Sequence, residues 1–126
     1  MNFGSKNKLA KALLLAALSV ASSFASATDR EQKGLTLSNL RFVGDYQGST
    51  FDNIVELWFT TNLVWAPGSN CTSGFRVMVD ATKNKHLIAA LLMAHATGRK
   101  ININVDDTLP IRDGACEVTF VDVPMQ

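Results

Sequence analysis

Residues 85–107 read KHLIAALLMAHATGRKININVDD and hold a helix, a stop and a strand in succession. Leu87, Ile88, Leu91, Leu92 and His95 recur at steps of three and four, the period of a helix with one apolar side. Asn84 or Thr82 is placed to cap its start, because a short side-chain oxygen accepts from a free backbone N–H there. Gly98 ends it, since glycine takes the left-handed closing conformation at little cost. Arg99 and Lys100 follow at the negative end of the helix dipole. The period then drops to two. Ile101, Ile103 and Val105 alternate with Asn102, Asn104 and Asp106, which predicts a strand with one dry and one wet face.

The segments to either side read as strands packed on this unit. Thr28 to Gly34 is polar and expected to fray. Leu35 to Val43 predicts a first strand, with a change of apolar parity near Ser38 and Asn39 that marks a bulge. Ile54 to Thr61 predicts a second, with Val55, Leu57 and Phe59 on one face and Ile54, Glu56, Trp58 and Thr60 on the other. Phe75 to Asp80 predicts a third, with Phe75, Val77 and Val79 opposed to Arg76, Met78 and Asp80. Residues 101–107 make the fourth and Cys116 to Val123 the fifth. Pro67 and Gly68, then Pro110 and Gly114, mark the loops between them.

The beginning of the chain reads differently. Lys6, Lys8 and Lys11 precede an apolar run from Ala12 to Ala21, and Ala25-Ser26-Ala27 follows. That is the three-part form of a secretory signal peptide, and the run is shorter than the about 20 apolar residues a membrane span needs. We expect a signal peptide over 1–27 and a single exported domain, periplasmic or secreted and without a membrane anchor, over 28–126. The 99 residues left carry nine basic and eleven acidic side chains, a balance of −2. A weakly acidic domain of this kind does not suit nucleic acid, which needs basic surface. Cys71 and Cys116 both lie in that domain, and in an exported chain two cysteines most simply form one disulfide. Two free thiols or a metal site are the alternatives, the latter poor in ligands because no histidine stands near.

Three strands, a helix and two strands in about a hundred residues match a five-stranded OB-fold-like barrel, mostly β with one helix, in the order β-β-β-α-β-β. The third and fifth strands of such a barrel run side by side and parallel, which brings the two cysteines to one end of neighbouring strands. The rival fold is an open α+β sheet with a helix on one face.

No nucleophile, zinc-protease motif or phosphate-binding glycine loop stands out, so no enzyme activity and no cofactor are expected. His86 and His95 are nine residues apart and point to opposite sides of a helix at about 100° per residue. His95 falls near the apolar stripe and reads as a core or interface histidine. Asp106, Asp107 and Asp113 flank one loop without a calcium-loop pattern and read as a solvated turn. The wet faces are more informative. Trp58, Arg76 and Met78 come together on adjacent strands, an aromatic, a cation and a flexible apolar side chain on one surface. Aromatic rings suit the C–H faces of sugars, and Asp45, Gln47, Asp52 and Asn53 in the first loop offer carboxylate and amide groups to hydroxyls. The bland alternative makes Trp58 part of the core or of a subunit contact. Trp65 is either a loop anchor or a second stacking residue.

The stretch Ala94-His95-Ala96-Thr97-Gly98-Arg99-Lys100-Ile101-Asn102-Ile103 resembles the helix-to-strand junction of the B subunits of two-part bacterial toxins, of the subtilase-cytotoxin type. The resemblance covers most of the mature chain in topology and only this junction in residues. It implies a pentameric ring with the helix lining a central pore and glycans as ligands, or a stand-alone exported relative with no toxic partner. The consecutive apolar residues Ala89 to Ala94 agree with a helix buried on more than one side, in a homo-oligomer or deep inside a monomer. Together these readings predict a secreted or periplasmic, non-catalytic, oligomeric binding module for a glycan or other cell-surface ligand. The alternative is a structural or inhibitory partner of another exported protein.

Overall fold

The computed structural model describes residues 29–125; the expected signal peptide and its cleavage point after Ala27 lie outside them. The elements in chain order are β1 (Asp29–Leu35), β2 (Leu37–Phe42), β3 (Ile54–Phe59), β4 (Arg76–Asp80), α1 (Lys85–Thr97), β5 (Ile101–Asp106) and β6 (Glu117–Asp122). The strands form one mixed sheet in the order β1-β5-β6-β4-β3-β2. Every neighbouring pair is antiparallel except β4 and β6, which run parallel and meet at Met78 and Glu117.

This corrects the expected five-stranded OB-fold-like barrel. The sheet has six strands, its chain order is β-β-β-β-α-β-β, and it stays open. Two departures near the start of the domain are responsible. Asp29–Leu35, expected to fray, is β1 and pairs with β5, Arg30 opposite Val105 and Gln32 opposite Ile103. Its side chains are mostly polar, because an edge strand is held by its backbone ladder and has no need of an alternating apolar face. Thr36 then interrupts the run expected to be a single strand from Leu35 to Val43. Before it the chain bonds to β5, and after it to β3. The two edge strands are thus one residue apart in sequence, yet among the described residues no ladder joins β1 to β2 and closes the sheet. The likeness to pentameric toxin B subunits rested on barrel topology and falls with it.

The main core lies between the sheet and α1. Leu35, Leu37, Val55, Leu57, Phe59, Val77, Val79, Ile101, Ile103, Val105 and Val118 are buried with Leu87, Leu91 and Ala94 of the helix. The ladder between β2 and β3 slips between Leu37 and Asn39, where the apolar parity changes. An aspartate organises the entry to α1: Asp80 Oδ1 accepts from the backbone N–H groups of Thr82 (2.9 Å) and Lys83 (3.2 Å) and from the Thr82 hydroxyl (2.6 Å). Asn84 occupies the capping position but makes no side-chain capping bond. Gly98 closes the helix at φ 65°, and the next N–H, of Arg99, donates to the Ala94 carbonyl at 3.0 Å. His95 is exposed, as is His86, so His95 is no core residue. Cys71 and Cys116 are joined, with Cα atoms 5.5 Å apart, and tie the loop before β4 to the start of β6. Among the described residues no helix is long and apolar enough to cross a membrane.

Candidate functional site

The face of β3 and β4 turned away from the main core carries Ile54, Glu56 and Trp58 opposite Asp80, Met78 and Arg76. β2 adds Arg41 opposite Glu56 and Asn39 opposite Trp58, and β6 adds Glu117 opposite Met78. Strand alternation puts these side chains on one surface. Residues 43–53 and 107–115 fold over part of it, and Val43, Phe51 and Ala115 pack on Ile54 and Met78 as a second, small core. Met78 is fully buried there.

Charge is concentrated beneath this cover. Glu56 is 2% exposed and accepts from Arg76 Nη1 at 2.9 Å and from Arg41 Nη1 at 3.0 Å. Arg76 Nη2 donates to the Asp113 carboxylate at 2.8 Å and to its carbonyl at 3.3 Å. A carboxylate buried this deeply is tolerable because cations meet both of its oxygens. The guanidinium carbons of Arg41 and Arg76 lie 5.4 and 5.7 Å from the Trp58 ring centroid, within cation–π range. Phe75, expected inside with Val77 and Val79, is instead 47% exposed, and its ring packs on Trp58 with centroids 5.0 Å apart. Arg112 lies 3.8 Å from the buried Glu117 carboxylate and donates to the Met78 sulfur at 3.5 Å. Burial raises the Glu117 pKa, the Asp80 and Asp106 charges add to that, and Lys83 and Arg112 oppose it. At Asp80 burial also pushes upward, but hydrogen bonds from Thr82 and Lys83 win and hold the carboxyl down at about 2.

Two clefts flank the loop of residues 43–53. A polar one of about 470 Å³ is lined by Ser49, Thr50, Asp52, Asn53, Asp80, Thr82, Pro110, Ile111 and Arg112. Three separate segments meet in it: the 43–53 loop, the turn before α1 and the loop before β6. Hydroxyls, an amide, two carboxylates and a guanidinium are presented together, a set of donors and acceptors suited to hydroxyl groups. The second cleft, of about 310 Å³, lies on the other side of the loop between Arg41, Val43, Tyr46, Phe51, Glu56 and Arg76.

The residues expected to form one ligand surface are therefore divided. Asp52 and Asn53 line the polar cleft, and Arg76 lines the other. Trp58 is half-buried among Arg41, Arg76 and Phe75 and lines neither. Asp45 and Gln47 are exposed on the loop, outside both linings. Trp65 is a loop anchor, its Nε1–H donating to the Ser73 carbonyl at 2.8 Å. Of the three loop aspartates, only Asp106 behaves as a simple turn residue, its carboxylate accepting from Thr108. Asp107 is 4% exposed and accepts from the Asn70 N–H, while Asp113 pairs with Arg76. Among the described residues no three His, Cys, Asp or Glu side chains are placed to hold a metal ion. Sequence reading missed Ser49, Thr50, Thr82 and Arg112, whose only signal was that each stands in a turn-rich segment.

No protein-family model matches this chain, and no curated protein matches it.

Proposed function

We propose that the chain is an exported, non-catalytic binding module that takes a hydroxyl-rich ligand, a glycan of the cell surface, in the polar cleft beside the 43–53 loop. The observation that carries this reading is the convergence of three loops on a cleft of about 470 Å³ lined by hydroxyl, amide, carboxylate and guanidinium groups. Clefts of this size lie in the ordinary range for small ligands. The walls are fixed in advance: Asp52 Oδ1 accepts from the Tyr46 N–H at 2.6 Å, the Asn53 N–H donates to the Gly44 carbonyl at 3.0 Å, and Asp80 is bonded to Thr82. Preorganised groups lose little freedom on binding.

The acid–base properties favour binding over catalysis. Asp80 and Glu117 are driven in opposite directions, a pattern acid–base enzymes use, but Glu117 is 3% exposed and lines neither cleft. Asp80, which does line the polar cleft, stays charged near neutral pH and serves as an acceptor.

The same proposal makes the module a homo-oligomer. Ala89, Leu92, Met93 and Ala96 are all exposed and recur at the spacing of one helix face, so α1 carries a second apolar stripe away from the core. A glycan array probed with the labelled mature chain tests the ligand assignment. Saturable binding to a restricted set of glycans is expected, and Thr50→Trp, at an exposed position in the cleft wall, should abolish it while the circular dichroism spectrum is unchanged. An empty array, or binding indifferent to Thr50→Trp, contradicts the assignment. The alternative role, as partner of another exported protein, predicts the empty array.

A further inference from the structure

We propose that the cleft between Arg41, Val43, Tyr46, Phe51, Glu56 and Arg76 is a second binding site, for a small free carboxylate with an aromatic or apolar body. The cleft holds about 310 Å³ and is apolar over most of its surface, with Val43, Phe51 and Tyr46 as walls. Tyr46 is 62% exposed, so its ring is free to close over an occupant. Its backbone is not free: the Tyr46 N–H donates to Asp52, and the Tyr46 carbonyl accepts from Ser49 at 3.0 Å.

The polar groups of the lining set the chemistry of the ligand. Arg41 and Arg76 share Glu56, and Arg76 is also met by Asp113, so what the lining has left over is guanidinium N–H donors. Both Glu56 oxygens are already engaged by those arginines. Arg41 uses one nitrogen on Glu56 and keeps 57% of its side chain exposed, so the rest of its guanidinium fork is available at the rim. Arg76, nine-tenths buried in the floor, has an Nε–H with no hydrogen-bond acceptor among the described residues. The cleft therefore offers unused guanidinium donors beside apolar walls, with both Glu56 oxygens already taken. A carboxylate meeting Arg41 in the paired geometry guanidinium favours, with its ring or chain between Tyr46 and Phe51, uses each of these features.

The site differs from the polar cleft in residues and chemistry, and its test does not depend on the glycan assignment. The probe is 3-phenylpropionate, titrated against the intact chain and followed by tryptophan emission, because Arg41 lies against Trp58. 3-Phenylpropan-1-ol and propionate serve as controls that keep the ring without the charge and the charge without the ring. Saturable binding of the acid is expected, with the alcohol and propionate each at least about tenfold weaker, the worth of one charged hydrogen bond or one buried ring. Arg41→Gln should bring the acid to the level of the alcohol, and Tyr46→Ala should weaken the acid and the alcohol alike. A phenylalanine-terminated peptide that binds where 3-phenylpropionate does not would assign the cleft to a protein chain end and overturn the proposal. So would equal binding of acid and alcohol by the native chain, a comparison that needs no variant to fold.

Discussion

Asp80 and Glu117 stand close on the covered face, and their surroundings treat them oppositely. Asp80, ordinarily near 3.8, is held at about 2 by its Thr82 and Lys83 hydrogen bonds, although burial works against them. A carboxyl depressed by folding stabilises the native state above its unfolded pKa, and that contribution is lost as pH falls through the folded one. For Asp80 it amounts to about 2 kcal/mol at neutral pH and disappears between about pH 4 and pH 2. Glu117 is raised above its ordinary 4.5, mainly by burial, so it has the reverse sign. Its contribution is present below the unfolded value and is lost as pH rises through the folded one. Urea midpoints measured against pH should pass through a maximum in mild acid. Glu117→Gln should flatten the neutral side of that curve, and Asp80→Asn the acid side. A Glu117→Gln curve parallel to that of the native chain everywhere above about pH 4.5 would count against the assigned environment.

Elements differ in how far they can be read from residues. α1 and β5 were legible because Leu87, Leu91 and Ala94 repeat at helical spacing and Ile101, Ile103 and Val105 at strand spacing. Gly98 marks the switch between the two periods, and its φ of 65° shows why glycine stands there. The disulfide followed from two cysteines in a chain read as exported, and a closed loop with a separation of 45 residues stabilises by about 4 kcal/mol in the chain-entropy model. β1 was not legible, because Arg30, Glu31, Gln32 and Lys33 have no apolar period and the strand exists through its ladder to β5. Ala89, Leu92, Met93 and Ala96 leave an apolar stripe in water, with Leu92 46% and Met93 48% exposed. If a second copy covers it, light scattering on the native chain will give a mass above one protomer, and Leu92→Glu with Met93→Glu will return it to one. A monomeric native chain would leave the stripe as plain surface.

At the scale of the molecule, the topology turns on Thr36, where the chain leaves β5 for β3 and the two edges of the sheet diverge. Nothing in that residue announces a change of strand partner, and the alternation of Leu35, Leu37, Leu40 and Phe42 reads equally well as one continuous strand. The clefts were hidden for a similar reason. Ser49, Asp80 and Arg112 are about thirty residues apart in sequence and meet only when the sheet places β3, β4 and β6 side by side. Residue types alone marked Asp52 and Asn53 as ligand candidates. They also marked Met78, which the 43–53 and 107–115 loops cover completely. That this three-loop cleft is the ligand site can be tested by amide NMR spectra of the uniformly 15N-labelled chain, titrated with glucose, galactose, mannose and N-acetylglucosamine in turn. At least one sugar should saturably shift the amides of residues 49–53, 80–82 and 111–112 as a group, with those of α1 unmoved. Spectra unchanged by all four sugars, or shifts centred outside those three segments, would contradict it.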